Sequence, residues 1–149
     1  MEQWDDKLAA RVWQRVNHDS ASDQMDISAE IQEFLLLERE DAHTYRQLAA
    51  RQSNKYLQQL IRETNDSIAA LEGLQRLLWG TPKEAAFSQG TPGLSSAAIR
   101  RCYLNTCLRT AQYSRHSSHS AAGPVFSQLA AGAFRRCNLL AMLAAEITD

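Results

Sequence analysis

Apolar residues recur in this chain at intervals of three and four almost from end to end, the spacing that puts them on one face of a helix. Trp4, Leu8, Val12 and Val16 give an apolar edge to a short helix over about residues 3–17. The polar, Asp/Ser-rich stretch from Asn17 to Gln24 reads as a linker. A first long helix is expected over about 26–52, with Ile27, Ile31, Phe34, Leu35, Glu38, Ala42, Tyr45 and Ala49 on one face. A second, over about 54–79, carries Leu57, Leu60, Ile61, Thr64, Ser67, Ile68, Leu71, Leu74 and Leu78. A third, over about 96–117, shows Ala98, Cys102, Asn105, Leu108 and Gln112. The fourth begins at Pro124, a residue suited to a first helical turn, and carries Phe126, Leu129, Ala133, Arg136, Leu140 and Leu143.

The breaks between these stripes are sharp. The 3 Pro and four of the 6 Gly cluster, at Gly80-Thr81-Pro82, Gly90-Thr91-Pro92-Gly93 and Gly123-Pro124. Tight joints between the first and second and between the third and fourth long helices imply antiparallel neighbours. The longer connection over 80–94 permits a crossover along a bundle. The expected fold is therefore all-α: an antiparallel four-helix bundle over 21–149, preceded by a short helical extension over 1–20.

Composition narrows the function classes. At 149 residues the chain has the size of one domain, long enough to bury a core without staples. A net charge of -1 gives no basic field to attract nucleic acid or a membrane surface. No apolar run approaches the roughly 20 residues of a membrane span. The acidic Met1–Asp6 start lacks the apolar core of a signal peptide. Three cysteines, odd in number and without CxxC spacing, fit a reducing cytoplasm. The expectations are a cytoplasmic location and neither nucleic acid nor membrane as partner.

The informative positions are those where polar residues interrupt the apolar faces. Glu38 lies between Leu35 and Ala42, Thr64 and Ser67 lie in the second helix, Asn105 and Gln112 in the third, and Arg136 in the fourth. A carboxylate facing a core costs on the order of several kcal/mol unless it is paired or binds a metal. Glu38 therefore needs either a metal ion or a cation of the protein, and Arg136 is the candidate; an edge position open to water is the third choice.

The segment Glu38-Arg-Glu-Asp-Ala-His-Thr-Tyr45-Arg-Gln-Leu-Ala49 resembles the first core helix of rubrerythrin-type ferritin-like domains. Leu57, Leu60, Ile61, Leu71 and Trp79-Gly80-Thr81 resemble the second. Arg100-Arg101-Cys102-Tyr103 through Ala111-Gln112-Tyr113 resemble the third, and Gly123-Pro124-Val125-Phe126 through Arg135-Arg136-Cys137 the fourth. Val12-Trp13-Gln14-Arg15-Val16 resembles a leader found in small bacterial members. The resemblance implies a ferritin-like bundle and, in intact members, a pair of iron or manganese ions. Those ions are held by single carboxylates from two helices and Glu-x-x-His pairs from the other two.

Carried onto this chain, the resemblance leaves Glu38 as the one ligand-type residue. The positions of the other ligands fall on Thr64 and Ser67, on Gln112, and on Ala133 and Arg136. A shifted alignment of the second helix would use Glu63 and Asp66, and Glu72 with Gln75 lies near that helix's end. The resulting expectation is a non-catalytic member with no cofactor. Glu38 pairs with Arg136, and Thr64, Ser67, Gln112, Tyr45 and Tyr113 complete a polar network. It would act as a scaffold or interaction module, a homodimer or other homo-oligomer or the partner of another protein. The alternatives are a di-iron or di-manganese peroxidase or oxidase, and a small-molecule binder using space left by Thr64, Ser67, Ala130 and Ala133.

Other chemistry finds less support. His116-Ser-Ser-His119 has a metal-like spacing in a Ser-rich turn, with no further ligand beside it. His43 and His18 fall off the apolar faces. Cys102 and Cys107 differ by five positions and do not share a helix face. Cys137, beside Arg136, has a setting that could lower a thiol pKa, although a small buried hydrophobe is the commoner role for each cysteine. Arg100-Arg101, Arg109 and Arg135-Arg136 are dispersed basic residues, which argues against a nucleic-acid groove.

Overall fold

The computed structural model describes the backbone of residues 3–80 and 95–147, with side chains from Ile27 onward. Four α-helices account for nearly all of it: α1 (Gln3–Arg51), α2 (Lys55–Trp79), α3 (Ser95–Arg115) and α4 (Gly123–Glu146). A single 3-10 turn, His116–Ser118, links α3 to α4.

One boundary differs from the sequence reading. α1 is continuous from Gln3 to Arg51, so no separate short helix precedes it and the stretch from Asn17 to Gln24 is not a break. That stretch is polar but contains neither Pro nor Gly. Asn, Asp and Ser lower helix propensity by only about 0.7 kcal/mol each, which does not by itself end a helix.

The joints follow local chemistry. Asn54 caps α2 with its side-chain Oδ1, which accepts from the Tyr56 amide at 2.8 Å. α2 ends at Gly80, whose φ of 89° needs no Cβ. Pro124 occupies the first turn of α4, where a missing N–H costs nothing.

α1 packs on α2 and α3, and α4 packs on α3 and α2, so α1 and α4 face each other across one diagonal. Two apolar layers fix the directions. One end holds Ile27, Ile31, Phe34 and Leu35 of α1, Leu71 and Leu74 of α2, Tyr113 of α3, and Phe126 and Leu129 of α4. The other holds Tyr45 and Leu48, Leu57 and Leu60, Ile99 and Cys102, and Leu139, Leu140 and Leu143. α1 and α4 therefore run one way, and α2 and α3 the other. α2 finishes in the first layer and α3 starts in the second, at opposite ends of the bundle. Each fully buried leucine in these layers contributes about 1.5–3 kcal/mol of apolar burial.

The faces of α1, α2 and α4 match their stripes: Phe126, Leu129, Ala133, Arg136, Leu140 and Leu143 are all buried. The face of α3 does not. Its buried residues are Ala98, Ile99, Cys102, Thr106, Arg109 and Tyr113, while Leu108 is 60% exposed. Asn105 and Gln112 are only half-buried. The helix is rotated by one residue from the apolar reading. Leu108 faces outward because its inward alternative, Arg109, has two carboxylates to meet.

Candidate functional site

Between the two apolar layers lies a layer of charge. Glu38 is fully buried on α1, and Arg136 is fully buried on the diagonal helix α4. Arg136 grips the carboxylate with both terminal nitrogens: Nη1 donates to Oε2 at 2.5 Å and Nη2 to Oε1 at 3.0 Å. This two-pronged geometry gives the strongest of the ordinary charge-assisted contacts. The same nitrogens reach α2, where Thr64 Oγ1 accepts at 3.3 Å and Ser67 Oγ at 3.2 Å. The small hydroxyl residues thus leave room for a guanidinium and also satisfy it. The Tyr113 hydroxyl, from α3, donates to Glu38 Oε1 at 2.7 Å.

A second pair stands beside the first. Asp41, one turn along α1 from Glu38, pairs with Arg109 Nη2 of α3. Arg109 Nη2 also donates to Thr106 Oγ1 at 3.2 Å, and its Nε lies 3.5 Å from Glu38 Oε1. The Cys102 thiol approaches Asp41 Oδ1 at 3.7 Å. Two carboxylates and two guanidiniums make the layer electrically neutral, and all four side chains are shut off from water. Donors exceed acceptors: Arg109 Nη1 and Arg136 Nε have no hydrogen-bond partner among the described residues.

The two carboxylates respond differently to this setting. Burial pushes Glu38 upward, but Arg136, Arg109 and the hydrogen bonds outweigh it and hold the group below the usual carboxylate value. At Asp41 burial wins over Arg109, and the carboxyl is raised. Burial alone would lower both guanidiniums, yet the facing carboxylates hold them above their usual value and firmly charged. Burial and Glu38 raise Tyr113 well above the usual phenol value, so it remains a donor.

The structure brings together Glu38, Arg136, Thr64, Ser67 and Tyr113. It does not bring Gln112, which is half-buried because the inward face of α3 runs through Arg109 and Tyr113. Tyr45 is buried in the adjoining layer, beside Asp41 and Cys102 and away from Glu38. Asp41, Thr106 and Arg109 belong to the layer although the apolar pattern of the sequence did not mark them for it. The signal was present in the spacing Cys102, Thr106, Arg109, Tyr113, which has the same three-and-four rhythm once polarity is ignored.

The shifted alignment of α2 is excluded. Asp66 is exposed, and Glu63, half-buried at the edge of α2, pairs with Arg135 Nε at 2.9 Å and makes no contact with Glu38 or Arg136 among the bonds of the charged layer. Glu72 pairs on the outside with Arg39 at 3.0 Å. His116, expected in a Ser-rich turn, is half-buried, paired with Glu30 and packed against Phe126 with ring centres 5.0 Å apart. Burial, with the adjoining Cys107 thiol, pushes the Cys137 thiol up to about 11 and outweighs the lowering that the neighbouring Arg136 exerts.

Among the described residues no three His, Cys, Asp or Glu side chains converge as a metal-binding set. The donor set itself explains the mismatch. Both lone-pair faces of Glu38 are taken by cationic or hydroxyl donors, and Arg136 fills the space between Glu38 and α2. Two divalent ions would have to displace two guanidiniums. Arg136 fills the space beside Thr64 and meets Ser67 from the bundle interior. A groove of about 290 Å³ lies between α2 and α4, and Ser67 lines it together with Glu63, Ala70, Leu129, Gly132 and Arg135. No family model, curated protein or solved structure matches this chain.

Proposed function

We propose that this protein is a non-catalytic, ferritin-like scaffold, related in design to rubrerythrin-type domains, in which an ion network replaces the di-metal site. The observation that carries the reading is the pairing of Glu38 with Arg136 and of Asp41 with Arg109, at the level where such a bundle would hold its metals. The helix directions agree with it: α1 and α4 run together, α2 and α3 run together, and α2 finishes at the end of the bundle opposite to the one where α3 begins. Catalysis on metal-bound oxygen needs anionic ligands and an open coordination position. This layer offers neither, because each carboxylate is already neutralised.

What a scaffold offers is surface. Leu104 and Leu108 of α3 and Phe134 and Met142 of α4 are each more than half exposed. They are larger and more apolar than a solvated helix face requires, and they support self-association as the working role. The test is metal analysis of protein expressed in iron- and manganese-supplemented medium and purified without chelator, together with sedimentation equilibrium. The expected result is no stoichiometric metal and a concentration-dependent dimer that Leu108→Glu or Phe134→Glu weakens. About two metal ions per chain would overturn the metal-free reading, and a monomer at every concentration would overturn self-association.

A further inference from the structure

The seam between α3 and α4 carries a second piece of chemistry. Cys107 of α3 and Cys137 of α4 place their sulfurs 3.4 Å apart. Both are free thiols. They are separated by 30 positions in sequence and lie on facing antiparallel helices. Cys107 is half-buried and open to solvent, whereas Cys137 is 8% exposed. The Thr110 hydroxyl lies 3.9 Å from the Cys137 sulfur on its other side. A disulfide bond is about 2.05 Å long, so the two sulfurs have only about 1.4 Å left to close.

We propose that Cys107 and Cys137 form a redox-active dithiol, a modification site for hydroperoxides that closes into a disulfide between α3 and α4. The Cys107 thiolate attacks a peroxide oxygen. The O–O bond breaks, the departing oxygen takes a proton and leaves as water, and Cys107 becomes a sulfenic acid. The Cys137 thiol then attacks that sulfur and gives up its proton. The S–O bond breaks, a second water leaves, and the disulfide remains. Two electrons pass from the two sulfurs to hydrogen peroxide, which ends as two waters.

The asymmetry of the pair suits this order. The exposed member meets the oxidant, and the buried member stands within contact distance to resolve the sulfenic acid before it is oxidised further. Burial pushes the Cys137 thiol up to about 11, so it is a poor first nucleophile for a dissolved oxidant. Cys102 serves as an internal control: it is 1% exposed, points at Asp41 and is pushed up to about 12 by burial. Cys137 directly follows Arg136, so the bridge would close one residue from the guanidinium that holds Glu38.

The test treats the full chain with hydrogen peroxide, counts thiols in denaturant with an aromatic disulfide reagent, and maps peptides without reduction. The expected product is a single chain, not covalently linked to another, lighter by two hydrogens. One thiol, Cys102, remains of the three, and a single cross-linked peptide joins Cys107 to Cys137. Dithiothreitol restores all three thiols. Cys137→Ser converts the endpoint to a sulfenic and then sulfinic Cys107, and Cys102→Ser changes nothing but the starting count. Three thiols surviving treatment would overturn the proposal. So would a disulfide between two chains, or a sulfinic Cys107 in the unsubstituted protein with Cys137 still free. The wild-type measurement decides the matter even if a variant fails to fold.

Discussion

Glu38 and Asp41 stand three residues apart on α1, and each answers to a different arginine on a different helix. One carboxyl is held below its usual pKa and the other above it. They share a charge and a face, yet folding treats them in opposite ways. Glu38 has a two-pronged partner, a phenol and a second guanidinium nearby, whereas Asp41 has one arginine and a thiol.

The first prediction separates the two. Glu38 is below its usual 4.5 when folded, so its stabilisation is complete above pH 4.5 and is lost as pH falls through the folded value. Asp41 is above its usual 3.8, so its contribution is complete below pH 3.8 and is lost as pH rises through the folded value. Glu38→Gln should cost about 3–5 kcal/mol at neutral pH, because it strands Arg136. Asp41→Asn should cost less, about 1–2 kcal/mol. Urea unfolding across pH 3–7 checks the signs. The advantage of wild type over Glu38→Gln should shrink below pH 4.5, while its advantage over Asp41→Asn should grow as pH falls from neutral.

The second concerns the arginine. Arg136→Met leaves a buried carboxylate and should cost about 3–5 kcal/mol, whereas Glu38→Leu combined with Arg136→Met should recover most of that loss. A double-mutant cycle by chemical unfolding should give a coupling of at least about 2 kcal/mol. Additive losses would mean that the pair is not a unit.

Glycines on two helices should respond with opposite signs. A Cβ on Gly73 meets nothing within 4 Å, so Gly73→Ala should stabilise α2 by about 0.5–1 kcal/mol. A Cβ on Gly123 would lie 2.5 Å from the Ser117 carbonyl oxygen, which is backbone and cannot swing away. Gly123→Ala should therefore destabilise by about 1–3 kcal/mol despite its better helix propensity. Thermal unfolding of the two single variants is sufficient.

Oxidation of the dithiol should change stability as well as thiol count. Closing a loop between residues 30 apart removes unfolded-state freedom amounting to roughly 3–4 kcal/mol. The urea midpoint should rise on peroxide treatment and return on reduction, and Cys107→Ser should abolish the shift.

The helices of this protein were legible because apolar spacing and Pro/Gly breaks agreed over most of its length. The exceptions have physical causes. Nothing in the polar run Asn17–Gln24 stops a helix, so α1 passes through it. Leu108 drew the α3 face toward itself by its hydrophobicity, yet it is exposed, because Arg109 gains more from Asp41 and Glu38 than leucine gains from burial. Glu38 signalled its own need by interrupting an apolar stripe and pointed to one cation, Arg136. It could not signal a second pair, since Asp41 and Arg109 look like ordinary surface charges until both are seen to be buried.

Apolar layers are forgiving along a helix axis. A slip of one turn, about 5.4 Å, puts one leucine where another was and changes the contact energy little. The Glu38–Arg136 bond across the bundle diagonal is not forgiving, because the same slip leaves two charges facing hydrocarbon. It acts as a registration pin that ties α1 and α4 to a single axial alignment. A core with all four charges replaced by apolar residues should remain folded and stable. In its amide NMR spectrum it should show more than one set of resonances, where the native chain shows one.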